Sequence, residues 1–166
     1  AIEKLKRKND LTSAEGVMSK FGSMLSFYNL NGQDVFIFDR GGDTVILKDN
    51  EEYVIEDMGE CPIADISDKY CLLRTEEKEC MVNLDNMQSK IYSTADFDFD
   101  SCNLMNISLK KPVIVDGNTY ISVMSDNEKS VLFVHFLQEN GHKVKPIEVS
   151  GRAVSITPCS EGDSIT

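Results

Sequence analysis

From Met24 onward the chain alternates short apolar runs rich in Val, Ile, Phe, Tyr and Leu with polar turns of Asp, Asn, Gly, Ser and Lys. That is the pattern of β-strands joined by tight turns. The runs fall into units of four. In the first, MLSFYNL is followed by the turn Asn31-Gly32, VFIF, the turn Arg40 to Asp43, TVIL, the turn Asp49-Asn50, and EYVIE. In the second, CPIADI precedes Ser67 to Lys69, YCLL, a charged turn from Glu76 to Glu79, CMVNL, Asp85-Asn86, and SKIYS. The third runs CNLMNISL, Asp116 to Asn118, TYISVM, Asp126-Asn127, SVLFVHFL, Asn140-Gly141, and KVKPIEV.

The third strands begin near Val45, Met81 and Val131, and the turn ahead of each fourth strand carries Asp-Asn, Asp-Asn and Asn-Gly. These residues accept left-handed backbone angles or bond their own main chain. The expected domain therefore spans residues 23–166. It holds modules over 23–58, 59–95 and 100–149, with a partial fourth opening at GRAVSITP. Residues 1–22 read differently: Ile2, Leu5, Val17, Met18 and Phe21, with a capping signal over Thr12 to Glu15, predict a partly helical arm or linker.

The fold class is all-β, built of repeated four-stranded antiparallel modules. A β-trefoil, or another barrel or sandwich, is the alternative, since three modules suffice to close one. The runs VFIF, YCLL and VLFVHF favour strands buried on both faces, as in the inner strands of a propeller blade. Over Met24 to Glu56, Cys61 to Ser93 and Cys102 to Val149 the chain resembles the blades of WD40-like propellers. It departs from them in lacking the Gly-His opening and the Trp-Asp ending, so no residue inherits a role from that family. A propeller closes with four or more blades, so the resemblance implies completion by further chain or by a second copy.

Composition narrows the function. At 166 residues the chain is long enough for a real core, and its net charge of −11 is uneven. Residues 1–20 carry five Lys/Arg against three Asp/Glu, leaving 12 against 25 in the remainder. An acidic body repels nucleic acid and anionic lipid and suits a basic protein partner. No apolar run approaches the length of a membrane span. The five cysteines lie in or beside apolar runs with no CxxC pair, which reads as reduced thiols of a cytoplasmic or nuclear protein. Cys71 and Cys80 flank a hairpin, and their redox state stays open, as does secretion of a processed chain.

Candidate chemistry is sparse. Asp96, Asp98 and Asp100 in DFDFD would share one face of an extended strand opposite Phe97 and Phe99, the beginning of a metal site. A calcium loop would also need Gly and Glu at its sixth and twelfth positions, where Ser101 and Ile107 stand. The favoured reading is a connection pinned by its phenylalanines. His135 falls on the strand face of Phe133 and Leu137, as a hydrogen-bonded core or interface histidine, and His142 falls in an exposed turn. No nucleophile motif and no phosphate loop is present. The expectation is a non-catalytic interaction or scaffold module without cofactor, able to self-associate through β edges. A trefoil domain acting on a receptor is the alternative.

Overall fold

A computed structural model describes residues 22–105, 107–109 and 111–156. The expected N-terminal arm lies outside them, apart from Gly22. The chain divides into two compact units, Ala1–Ile91 and Tyr92–Thr166.

The first unit holds two sheets, each a meander in chain order. The first sheet comprises β1 (Ser23–Leu30), β2 (Gln33–Arg40), β3 (Asp43–Lys48) and β4 (Glu51–Ile55). The second comprises β5 (Ile63–Ser67), β6 (Tyr70–Arg74), β7 (Lys78–Asn83) and β8 (Gln88–Ser93). The turns work as their residues require. Asn31 and Gly32, Gly41 and Gly42, and Asp49 and Asn50 all take positive φ. Such pairs make the two-residue turns whose twist matches the flanking strands.

One core joins the two sheets: Leu30, Val35, Ile37, Ile46, Ile55 and Met58 meet Cys71, Leu73, Cys80, Val82 and Leu84. Each fully buried aliphatic side chain there stabilises by about 1.5–3 kcal/mol relative to exposure. Lys48 reaches across to donate to the carbonyls of Leu84 and Asp85, at 2.6 and 3.3 Å. The inner strands are buried on their other faces too, through Phe36, Phe38, Val45 and Leu47 in the first sheet and Leu72 and Met81 in the second.

The second unit holds one sheet, β10 (Val113–Asp116), β11 (Thr119–Ser125), β12 (Lys129–Gln138) and β13 (Gly141–Ser150), with β9 (Ser108–Leu109) pairing the far end of β11. Here the strand expected over CNLMNISL is mostly absent. Phe99–Cys102 form a 3₁₀ turn, capped at its end by Asn103 with φ 52°. The strand beside β11 comes in two pieces, β9 and β10, with Pro112 between them. Proline has no N–H to give to a ladder, so a strand running through it breaks. Of the partial fourth module, residues 151–156 hold no strand, and the rest lies outside the described residues.

A repeat that the sequence reading overlooked stands at the end of each second strand. Asp39 Oδ1 accepts from the N–H of Gly42, Thr75 Oγ1 from that of Lys78, and Asp126 Oδ1 from that of Lys129, each three residues on. The second carboxylate oxygens fasten distant backbone, Asp39 Oδ2 taking the N–H of Cys61 and Asp126 Oδ2 that of Met105. Among the described residues no sheet closes on itself, so the barrel that a β-trefoil requires is not built.

Candidate functional site

The aspartate triplet serves local structure. Along 96–100 exposed acids alternate with half-buried phenylalanines. Phe97 and Phe99 pack edge to face with each other at 4.9 Å and both against Phe133, at 5.8 and 4.9 Å. Asp98 accepts from the N–H of Asp100 at 3.1 Å and opens the 3₁₀ turn. Asp96 and Asp100 stand exposed beside it. Among the described residues no group of three His, Cys, Asp or Glu is arranged to hold a metal ion.

The same sheet face carries both histidines. Tyr120 lies opposite His135 and Ser122 opposite Phe133 across β11 and β12, and opposite residues of an antiparallel pair share a face. His135 is buried at 4% exposure and stacks on Tyr120 at 4.1 Å and 11°. Its Nε2 contacts Ser122 Oγ and its Nδ1 contacts His142 Nε2, both at 2.8 Å. His142 is therefore half-buried and bonded to its neighbour, where the sequence reading left it exposed in a turn. It is the second residue of β13, pointing back across the hairpin at Leu137 and His135.

A serine, a histidine and a second orienting group at such distances is the spacing of an activated nucleophile. Here the central ring lies flat on Tyr120 in mid-sheet. The chain of contacts partners Ser122 Oγ, both ring nitrogens of His135 and Nε2 of His142, as buried polar groups in a sheet interior require.

A charged cluster that the sequence reading missed lies on the second face of the second sheet. Arg74 donates to Asp65 at 2.8 Å and lies opposite Glu79 across β6 and β7. Asp65 and Glu79 are 8% and 6% exposed. The signal was available: charged residues at same-face positions inside otherwise apolar strands.

The thiols Cys61, Cys71, Cys80 and Cys102 are free. Burial pushes the Cys71 thiol far up and that of Cys80 up to about 12. The hydrogen bond to Asp39, then its charge, raises Cys61, which is exposed. Thiols held in the protonated form are poor nucleophiles and poor metal ligands.

What remains is surface. Asp49, Glu51, Glu52, Glu56, Asp57 and Glu60 are all exposed, running from the β3–β4 turn along β4 and into the linker that follows. Arg40 contacts Glu52 at 3.5 Å with both side chains 40% exposed, a weak surface pair. On one side the sheets end in the outer strands β4, β8 and β13, and on the other in β1, β5 and the pair β9 and β10. β13 carries Lys143, Lys145 and Pro146, residues that discourage a further strand from adding to an edge. No helix among the described residues is long and apolar enough to cross a membrane. Comparison with family models, with curated proteins and with solved structures found no match.

Proposed function

We propose that the protein is a non-catalytic protein–protein interaction or scaffold module, built of propeller-like blades and presenting an acidic surface to a basic partner. The observation that carries this reading is the run of six exposed acids from Asp49 to Glu60, in the turn before β4, on β4 itself at Glu51 and Glu52, and in the linker after it, beside inner strands packed on both faces. Rigid inner strands hold the outer strand and its charges in place, and like charges held together steer and select a partner of opposite sign. The consecutive four-stranded meanders, each with the same three-residue turn bond after its second strand, support the blade reading. Closure of a ring would then draw on further blades from another chain or a second copy. The free thiols support an intracellular setting.

The test is binding of a labelled Lys/Arg-rich peptide, followed by fluorescence anisotropy at rising salt. Binding should weaken about tenfold between low and moderate salt, as expected of exposed charges. It should fall further in E51K/E52K, both exposed positions. Equal binding of an acidic control peptide, or indifference to the double variant, would sink the acidic-surface reading.

A further inference from the structure

Besides its broken first strand, the third module departs from the other two in the cover of its third strand. β3 and β7, the third strands of the first two modules, are buried along both faces, through Thr44 to Leu47 and Glu79 to Val82. β12 is as apolar, yet only one face is fully covered: Val131, Phe133, His135 and Leu137 are buried, while Leu132, Val134 and Phe136 are half-exposed. The register extends that open face onto β13, where Phe136, Val134 and Leu132 lie opposite Lys143, Lys145 and Ile147. The face ends at Ser130, opposite Val149; Ser130 is 1% exposed, donates to the carbonyl of Gly151 and accepts from the N–H of Ala153. Ile147 and Val149 are 42% and 46% exposed, and both lysines are exposed. Toward β11 the same face is closed, with Ile121 and Val123 at 2% and 1%.

The open apolar area is therefore two strands wide and flanked at one end by two cations. Its dimensions select the occupant. Two strands span about 10 Å, the diameter of one α-helix, whereas a packed sheet would also have to cover β11. From Lys143 to Val149 the strand runs about 20 Å, the length of a helix of about 14 residues. The charges select its chemistry. A second copy apposed in parallel would set Lys143 and Lys145 against their own equivalents, and one apposed antiparallel would set them against the apolar end at Ile147 and Val149, so neither arrangement supplies these cations with a counter-charge.

We propose that the open face of β12 and β13 docks an amphipathic helix of a partner protein, its apolar stripe lying over Leu132, Val134, Ile147 and Val149 and its flanking Asp or Glu residues meeting Lys143 and Lys145. The inference rests on the interaction-module reading, but it concerns a different surface from the acidic stretch at 49–60. A protein that captures the basic peptide and ignores an acidic helix keeps the first reading and overturns this one.

The probe is a fluorescein-labelled synthetic helix with leucines at helical spacing flanked by Glu, beside a control with the same leucines flanked by Lys. The Glu-flanked helix should bind the intact chain at least about tenfold tighter than the control. V134E and I147E should each abolish that preference, and K143E/K145E, at exposed positions where folding is retained, should reverse it. Circular dichroism of each variant checks the fold. Equal binding of the two helices, or binding indifferent to K143E/K145E, overturns the proposal. So does a concentration-dependent dimer, seen by light scattering and lost in I147E, that leaves no helix binding, since the face would then belong to a second copy.

Discussion

In the first unit two sheets meet over an aliphatic core running from Leu30 to Leu84, and the inner strands β2, β3, β6 and β7 bury their aliphatic side chains on both faces, while Phe27, Val54 and Ile63 on outer strands stay exposed. In the second, one sheet meets its own preceding chain. Phe97 and Phe99 close over Phe133 beside a tyrosine–histidine stack with two side-chain hydrogen bonds, and aliphatic residues including Ile114, Ile121, Val123, Val131 and Leu137 are buried along the same sheet. An aliphatic interface is non-directional and tolerates small shifts. An aromatic and polar cluster is directional, so each member depends on the placement of the others. Damage to the first core should thus spread over two sheets, and damage to the second should stay within one.

The largest effects follow from deleting volume. Phe133, fully buried and touching both phenylalanines of the 97–99 segment, should cost about 3–5 kcal/mol as Phe133→Ala. Hydrogen exchange should show the loss of protection confined to β10–β13. Leu73→Ala, in the shared core of the first unit, should cost about 2–5 kcal/mol and should expose amides in both β1–β4 and β5–β8. A Leu73 variant that loosens the second sheet alone would show that the two sheets are not one cooperative body.

A smaller effect isolates the polar part of the second core. His135→Phe keeps a flat ring on Tyr120 but removes both hydrogen bonds, leaving Ser122 and His142 to lose a partner each. The cost should be about 1–3 kcal/mol, read as a shift in denaturant midpoint. A neutral result would assign the stack, and not the hydrogen bonds, the main role.

How much of this was legible in the sequence depends on what each feature rests on. Strand existence and turn positions in the first two modules follow from local chemistry, alternation plus Asn-Gly, Gly-Gly and Asp-Asn, and local chemistry is what a sequence prints. The first strand of the third module was misplaced because CNLMNISL is apolar enough for a strand. The 3₁₀ turn at Phe99–Cys102 takes up its beginning, and the broken pairing along β11 moves the longer piece to Val113–Asp116. The bond between His135 and His142 depends on hairpin register, which brings two residues seven apart onto one face. The open face of β12 was invisible for a related reason: VLFVHFL looks buried on both sides, and whether a second layer covers it is a tertiary fact. The ion pair of Asp65 and Arg74 needed strand pairing as well as pattern.

A still smaller effect contrasts two turns with the same geometry. In the second unit the N–H groups of Lys129, and then of Glu128, hold the Asp126 carboxyl below its ordinary value of 3.8. The folded state thus favours the charged form more than the unfolded chain does. The stability this adds is complete above the unfolded value and is lost as pH falls through the folded one. Asp126→Asn should flatten the acid side of the melting curve as pH falls through and below the ordinary value of 3.8. The equivalent turn of the second module uses Thr75, which does not ionise there, so Thr75→Ser should leave that limb unchanged. Identical acid limbs for the wild type and Asp126→Asn would remove Asp126 from the account.

The last comparison costs the fold nothing and reads its motion. With Cys159, which lies outside the described residues, replaced by Ser, four thiols report on different depths. Cys61 is exposed, Cys102 is half-buried in the 3₁₀ turn, and Cys71 and Cys80 are at 0% exposure. Alkylation requires the thiolate, and Cys71 and Cys80 must both reach water and lose a proton that burial holds on. Cys61 should therefore label first despite Asp39, Cys102 second through local opening of the aromatic turn, and the core pair last and together, at a rate set by opening of both sheets. Staggered labelling of Cys71 and Cys80, followed by mass spectrometry, would mean that β6 and β7 open separately, and the shared core would have to be divided into smaller cooperative parts.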